Sequence, residues 1–248
     1  FFSAWSTLAG DSNAGSSART SVCQQTLSLT NQLNYTYNKM QELKTNCQTS
    51  MKSYVEDINS DFDKIDILND KITALKTIGQ EPNALMDQRD SLVDSISKYF
   101  VVNTDTDDVD GLTLKADGSA YSGETFIQPK NTDEESRLSY INDIEPTKDG
   151  AGNLVKGGDG LQEYTITYYK NGDEADSSSM ATVKVTGMSS DDYNNIQKYR
   201  ILFSDKTGVA LGTTDGGTVD FSKLKTFTPG AGASGAASTT GTGGAITG

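Results

Sequence analysis

The stretch Asn83–Ser97, NALMDQRDSLVDSIS, sets Asp87, Asp90 and Asp94 beside Arg89. Carboxylates next to an arginine are the raw material of acid–base catalysis, in which one acid is kept protonated and the other ionised. A working pair needs a cleft that separates the two pKa values, and nothing in the surrounding pattern supplies one. Placed on a helix, Asp87, Asp90 and Asp94 fall at i, i+3 and i+7 on one face. Leu85, Leu92 and Ile96 fall at i, i+7 and i+11 on another. The acids therefore read as a solvated ridge. Arg89 lies between Leu85 and Leu92 on the apolar face, so it is expected to fork onto a carboxylate of the preceding helix. Asp70 and Asp66 are the nearest candidates.

Other chemistries fare no better. The chain has no histidine, which removes Ser-His, Cys-His and His-metal arrangements together. Cys23 and Cys47 are too few and too far apart for a zinc site or a disulfide framework. The stretch TDDVDGLTLKAD, Thr106 to Asp117, partly fits a calcium loop through Asp108, Asp110 and Gly111. Threonine stands at its first position, aspartate at its twelfth, and the flanks read as strands, so a hairpin is the expectation. A carboxylate-based glycosidase would lack an aromatic-lined pocket, since Trp5 is the only tryptophan. No catalytic, cofactor-binding or metal-binding residue is assigned, and the chain is not read as an enzyme.

The elements that carry these residues fall into three parts. From Ser16 to Ile78 there are 63 residues with neither glycine nor proline, in a chain of 248 that holds 24 glycines. Apolar positions step through Leu33, Tyr37, Met40, Leu43, Cys47, Met51, Tyr54, Ile58, Phe62, Ile65, Leu68, Ile72 and Leu75. Their mean spacing of 3.5 residues is the heptad period of a coiled-coil seam. One unbroken helix of this length is a rod of about 95 Å. Gly79 and Pro82 end it, and Asn83 is expected to cap a second, antiparallel helix that runs to about Ser97. At roughly 22 Å, that helix covers only the last quarter of the seam. Phe1, Trp5 and Leu8 form one helical face that could fold back through the DSNAG turn. Leu33, Tyr37, Met40, Leu43, Cys47 and Met51 remain uncovered, and an apolar stripe of this kind marks an interaction site.

From Tyr99 the pattern changes to β-branched or alternating runs: KYFVVN, GLTLKA, LQEYTITYYK, ATVKVTG, YRILFS and GVALG. Turn signals such as DG and NGDE separate them. One short helix, SSDDYNNIQKY, is expected with Ser189 or Ser190 as its cap. Residues 100–192 hold 19 acids against 7 bases, which accounts for nearly all of the net charge of −13. Nucleic acid is thereby an unsuitable partner, because phosphate binding needs a basic footprint. No apolar run approaches the ~20 residues of a membrane span, and nothing resembles a signal peptide. Leu, Ile, Val and Phe make up only about a fifth of the chain, close to the level at which burial becomes marginal. The tract PGAGASGAASTTGTGGAITG is small, uncharged and unable to build a core.

The fold expected is α+β. Residues 1–98 form a coiled-coil-like rod with a short antiparallel partner helix, residues 99–228 a β-rich outer domain, and residues 229–248 a linker leading to a missing return helix.

Two motifs carry a resemblance. Phe1, Phe2, Ala4, Trp5 and Leu8 match an FFxAWxxL segment. Asn83, Leu85, Asp87, Gln88, Arg89, Asp90 and Leu92 match an N-x-L-x-D-Q-R-D-x-L motif at the end of a long rod helix. Over roughly residues 1–100 the chain resembles the flagellar hook-associated protein 1 family. DGLTLKADGSAYSGE resembles, more weakly, the hairpin that opens that family's β domain, and GGAITG resembles the start of its returning helix. The resemblance implies an excised middle of a structural subunit that joins hook to filament. It also implies export through the flagellar channel by a type III apparatus, without a cleaved signal peptide, to an extracellular position on the flagellum. The implied partners are other copies in a ring, the hook protein, the second hook–filament junction protein and an export chaperone, with neither nucleic acid nor membrane. The rival from another class is a surface adhesin with a coiled-coil stalk and a β-rich binding domain.

Overall fold

The computed structural model describes residues 1–10, 15–99, 101–117, 123–130, 132–213 and 217–227. The DSNAG turn, the AYS segment of the weakly matching hairpin and the Gly/Ala-rich tail with GGAITG fall wholly or largely outside these residues. The fold is α+β. Four helices are described: α1 (Phe2–Gly10), α2 (Ser16–Thr77), α3 (Asn83–Ser97) and α4 (Ser190–Tyr199). The chain divides into two compact units, Phe1–Met51 and Lys52–Gly248.

α2 runs for 62 residues because nothing within it removes a backbone donor or favours a turn. Its end has a specific device. Gly79 adopts φ 76°, its N–H donates to Lys76 O at 2.9 Å, and Gln80 N–H donates to Leu75 O at 3.0 Å. This paired closure satisfies two carbonyls that the helix leaves open, and glycine takes the left-handed position without a Cβ clash. α3 then starts on Pro82, whose carbonyl accepts from Leu85 N–H and Met86 N–H. Asn83 was expected as the cap. It is instead the first helical residue, and α3 has no side-chain cap, because the proline carbonyl begins the ladder one residue earlier.

In the first unit, Trp5 and Leu8 of α1 line an open hollow of about 470 Å³ with Arg19, Val22, Cys23, Thr26, Leu27 and Thr30 of α2. Val22 is buried there.

In the second unit the strands form two sheets. β1 (Val102–Thr106), β2 (Leu112–Ala116) and β3 (Thr125–Ile127) make an antiparallel three-stranded sheet. The other strands are β4 (Ser136–Pro146), β5 (Tyr164–Tyr169), β6 (Met180–Thr186), β7 (Ile201–Asp205) and β8 (Thr218–Asp220). They assemble in the order β7-β4-β5-β6-β8, antiparallel except for β6 with β8. The Thr106–Asp117 stretch is the β1–β2 hairpin, with Thr106 opposite Leu112. Of the two expected caps of α4, Ser189 is the one used, in a capping box with Asp192.

The expected runs correspond to β1, β2, β5, β6 and β7, while GVALG supplies only the isolated bridge Ser204–Ala210. β4, the longest strand, was not foreseen. A bulge between Ile141 and Asp143 breaks its alternation, so its apolar residues do not keep a period of two.

One core joins Val55, Ile58, Phe62 and Ile65 of α2 and Ile96 of α3 to Leu112, Leu114, Phe126, Ile127, Leu138 and Phe203 of the strands. The sequence pattern gave α3 only the last quarter of the seam and left the stretch around Val55 and Ile58 without a cover. The strands cover it. A second core lies among β4–β8 and α4, centred on Ile141, Ile166, Tyr168, Val183, Val185, Ile196 and Leu202.

Candidate interaction surface and its buried charges

The stripe on the first part of α2 lies open. Leu33, Tyr37, Met40 and Leu43 are 61–65% exposed, with Leu27 and Tyr35 equally open nearby. Cys47 is an exposed free thiol and Met51 is half-buried. The only charge pair on this part of α2 among the described residues is Lys39–Glu42 at 2.7 Å, on one helix surface.

The second part of α2 offers polar side chains that hold strands. Asn59 donates to Leu138 O at 2.7 Å and accepts from Leu138 N–H at 3.0 Å. Asn69 does the same for Leu112, at 3.1 and 2.7 Å. Each carboxamide takes the place of a neighbouring strand, satisfying both backbone groups of one buried residue.

Arg89 is 2% exposed and reaches the same place from α3. It donates to Asn69 Oδ1 at 3.2 Å and to Asp110 O at 2.6 Å. The expected fork onto Asp70 or Asp66 does not form. Asn69, one residue from Asp70, is the group that faces the α3 side, and Asp66 is turned to the sheet. The Arg89 Nε is buried without a hydrogen bond, and the nearest acid, Asp90 Oδ1, is 3.8 Å away. Asp110 adopts φ 56° and pairs with Lys76 at 2.7 Å. Asp107 accepts from Val109 and Gly111 N–H. These acids therefore shape and dock the hairpin turn. Asn83, Asp87, Gln88, Asp90 and Asp94 are exposed, while Leu85 and Leu92 are half-buried. No three metal-ligating side chains converge among the described residues.

A charged cluster that the sequence did not single out lies under the sheet. Arg137, 3% exposed, donates to Asp63 Oδ1 at 3.0 Å, to Asp66 Oδ2 at 3.0 Å and to Phe126 O at 3.0 Å. Its guanidinium lies 5.7 Å from the Phe62 ring centroid, and that ring stacks on Phe126. Lys206 bridges Asp66 at 2.8 Å and Glu135 at 2.6 Å. Burial pushes the Glu135 carboxyl above its ordinary value, against the opposing pull of Lys206. Burial works against the Lys206 ammonium, but its contacts with Asp66 and Glu135 outweigh it and hold the pKa above the usual lysine value. Two cations thus serve three acids, with Arg137 and Glu135 buried and Asp63 at the exposed rim. This arrangement fastens β4 and the turn after β7 to α2.

The chain matches the flagellar hook-associated protein FlgK helical domain over residues 1–165, two thirds of its length. It belongs to that family. The match takes in α1, α2 and α3 and extends through β4 to the first two residues of β5. Flagellar hook-associated protein 1 of Bacillus subtilis (strain 168) is 31% identical over 81 residues, which cover 33% of this chain and 16% of that relative. The matched part is thus about a sixth of the relative's length. No solved structure matches the chain significantly.

Proposed function

We propose that this chain is part of a structural subunit at the junction between the flagellar hook and filament. The observation that carries the reading is the stripe of Leu33, Tyr37, Met40, Leu43, Cys47 and Met51, open except at the half-buried Met51, on a helix of a flagellar hook-associated family. A run of large apolar side chains left in water is costly to keep exposed and marks a surface meant for burial. In the assembled flagellum it is covered by helices of the whole protein and by neighbouring copies in a ring. Residues 1–98 act as the packing rod, 99–228 as the outer β-rich domain and 229–248 as the linker to a returning helix. Hook protein, the second junction protein and an export chaperone are the further partners, and the subunit reaches its extracellular place by type III export without a cleaved signal peptide. The role is architectural rather than catalytic. No described helix is long and apolar enough to cross a membrane.

The test is the double substitution Met40→Glu and Leu43→Glu in the full-length protein. Cells are expected to carry hooks and to secrete filament subunits without forming filaments. Normal motility would overturn the junction reading and favour an adhesin.

A further inference from the structure

Asn171–Gly172 is the only Asn–Gly pair in the chain. In such a pair the glycine nitrogen has no side chain to shield it and can attack the asparagine Cγ. The new C–N bond closes a succinimide and ammonia leaves. Water then reopens the ring to aspartate or isoaspartate. We propose that Asn171 is a deamidation site which the fold holds closed, and whose conversion releases the segment leaving β5 from α2.

Four contacts hold it closed. Asn171 sits at φ 56° and ψ 18°, which turns the Gly172 nitrogen to the far side of the Cα–C bond from the Asn171 side chain. Ring closure therefore requires the peptide to rotate. That rotation is opposed by Asn59 Nδ2, which donates to Asn171 O at 2.9 Å, and by Asn171 N–H, which donates to Ser139 Oγ at 3.1 Å. The side-chain amide is itself engaged, Nδ2 donating to Lys206 O at 3.2 Å. Gly172 is buried against α2, where even an added Cβ would lie 2.8 Å from Val55 Cγ1. The reaction thus needs this segment to undock, or the chain to be unfolded.

The product does not fit the same seat. Aspartate replaces the Nδ2 donor by an oxygen facing the Lys206 carbonyl, and Asn171 Oδ1 is already buried without a partner. A charge placed there is unpaired and poorly solvated. Isoaspartate lengthens the backbone by one methylene and shifts Gly172 away from Val55. Conversion is therefore a one-way release of the segment.

The test incubates the purified chain at mildly alkaline pH, native and in guanidinium chloride, and follows Asn171 by peptide mapping and mass spectrometry. Conversion is expected to be at least tenfold slower in the native protein. Asn59→Ser and, separately, Ser139→Ala should each raise the native rate severalfold and leave the denatured rate unchanged. Because Asn59→Ser also loosens β4, the milder Ser139→Ala keeps the test decisive if the first variant folds poorly. Equal native and denatured rates, or no acceleration in Ser139→Ala, would overturn the protection. Asn171→Asp should lower the denaturation midpoint and open residues 170–180 to protease. An unchanged midpoint and cleavage pattern would overturn the release.

Discussion

Leu33, Tyr37, Met40 and Leu43 stand more than 60% exposed on α2, while Ile58, Phe62 and Ile65 of the same helix are 5% exposed or less. The apolar rhythm is the same in both stretches, so rhythm alone does not decide which becomes core. What sets the buried stretch apart is that its polar residues meet the strands. The buried stretch carries Asn59, Asp63, Asp66 and Asn69, each of which satisfies a backbone group or a cation from the strands. Around Met40 the charged residues are Lys39, Glu42 and Lys44, and Lys39 pairs with Glu42 along the helix itself. A sheet edge brings unmet N–H and C=O groups with it, so it docks only where a helix can answer them. The open stretch carries carboxamides too, among them Asn34, Asn38, Gln41 and Asn46, but its apolar side chains stay in water and suit an apolar partner whose backbone is already satisfied, such as another helix.

The sharpest way to break this comparison is a matched pair of truncations. Phe62→Ala should cost about 3–5 kcal/mol, the range for removing a buried aromatic ring. Met40→Ala should stay within about 0.5 kcal/mol, as for a surface position. Chemical denaturation of the isolated chain measures both, and a Met40 cost near that of Phe62 would mean that the stripe is already covered. Arg137→Met comes next. It leaves the buried Glu135 and the largely buried Asp66 with only Lys206 as a cation, and losing one partner of a buried charge group costs about 3–5 kcal/mol. The milder outcome, a near-neutral change, would mean that Lys206 alone neutralises the cluster.

A smaller effect is expected where α3 meets the hairpin turn. Arg89→Ala and Asn69→Ala should each cost about 1–3 kcal/mol, the range for leaving a buried polar group unpaired. Asp94→Asn, on the exposed ridge, should lie within about 0.5 kcal/mol. Thermal melts that rank Asp94 above Arg89 would invert the assignment of faces.

The smallest effect is a slope with pH. The folded Glu135 carboxyl binds its proton more tightly than the unfolded one, because burial raises its pKa above the ordinary 4.5. The folded state then holds more protons than the unfolded state as pH rises from that ordinary value through the raised one. Stability must fall across this window. Urea titrations at a series of pH values should show the decline in the parent and a flatter profile in Glu135→Gln. A parallel decline in both would place its origin elsewhere.

Some of this molecule was legible before its structure. α2 and its end at Gly79 follow from the absence of breakers and from a glycine at the one position that needs positive φ. The Ser189 cap is equally local, since a hydroxyl two or three residues ahead of free N–H groups satisfies them wherever the helix lies. Arg89 was legible by half. Its place on the apolar face of α3 is a matter of angle along one helix, but its partner is set by the register between α3, α2 and a turn of the sheet. That register delivered Asn69 and the Asp110 carbonyl rather than Asp66 or Asp70. Nothing local marked Arg137 and Glu135 as buried, because a charged residue is stable in a core only when partners distant in sequence arrive beside it. β4 was hidden by its bulge, and the cover it gives to Phe62 was hidden with it. The amino-acid sequence by itself determined the helices, the end of α2 at Gly79 and the apolar stripe, because those depend on neighbours within a few residues. Only the tertiary structure decided which part of the stripe is buried and which charges share a site, because both depend on contacts between residues 70 or more positions apart.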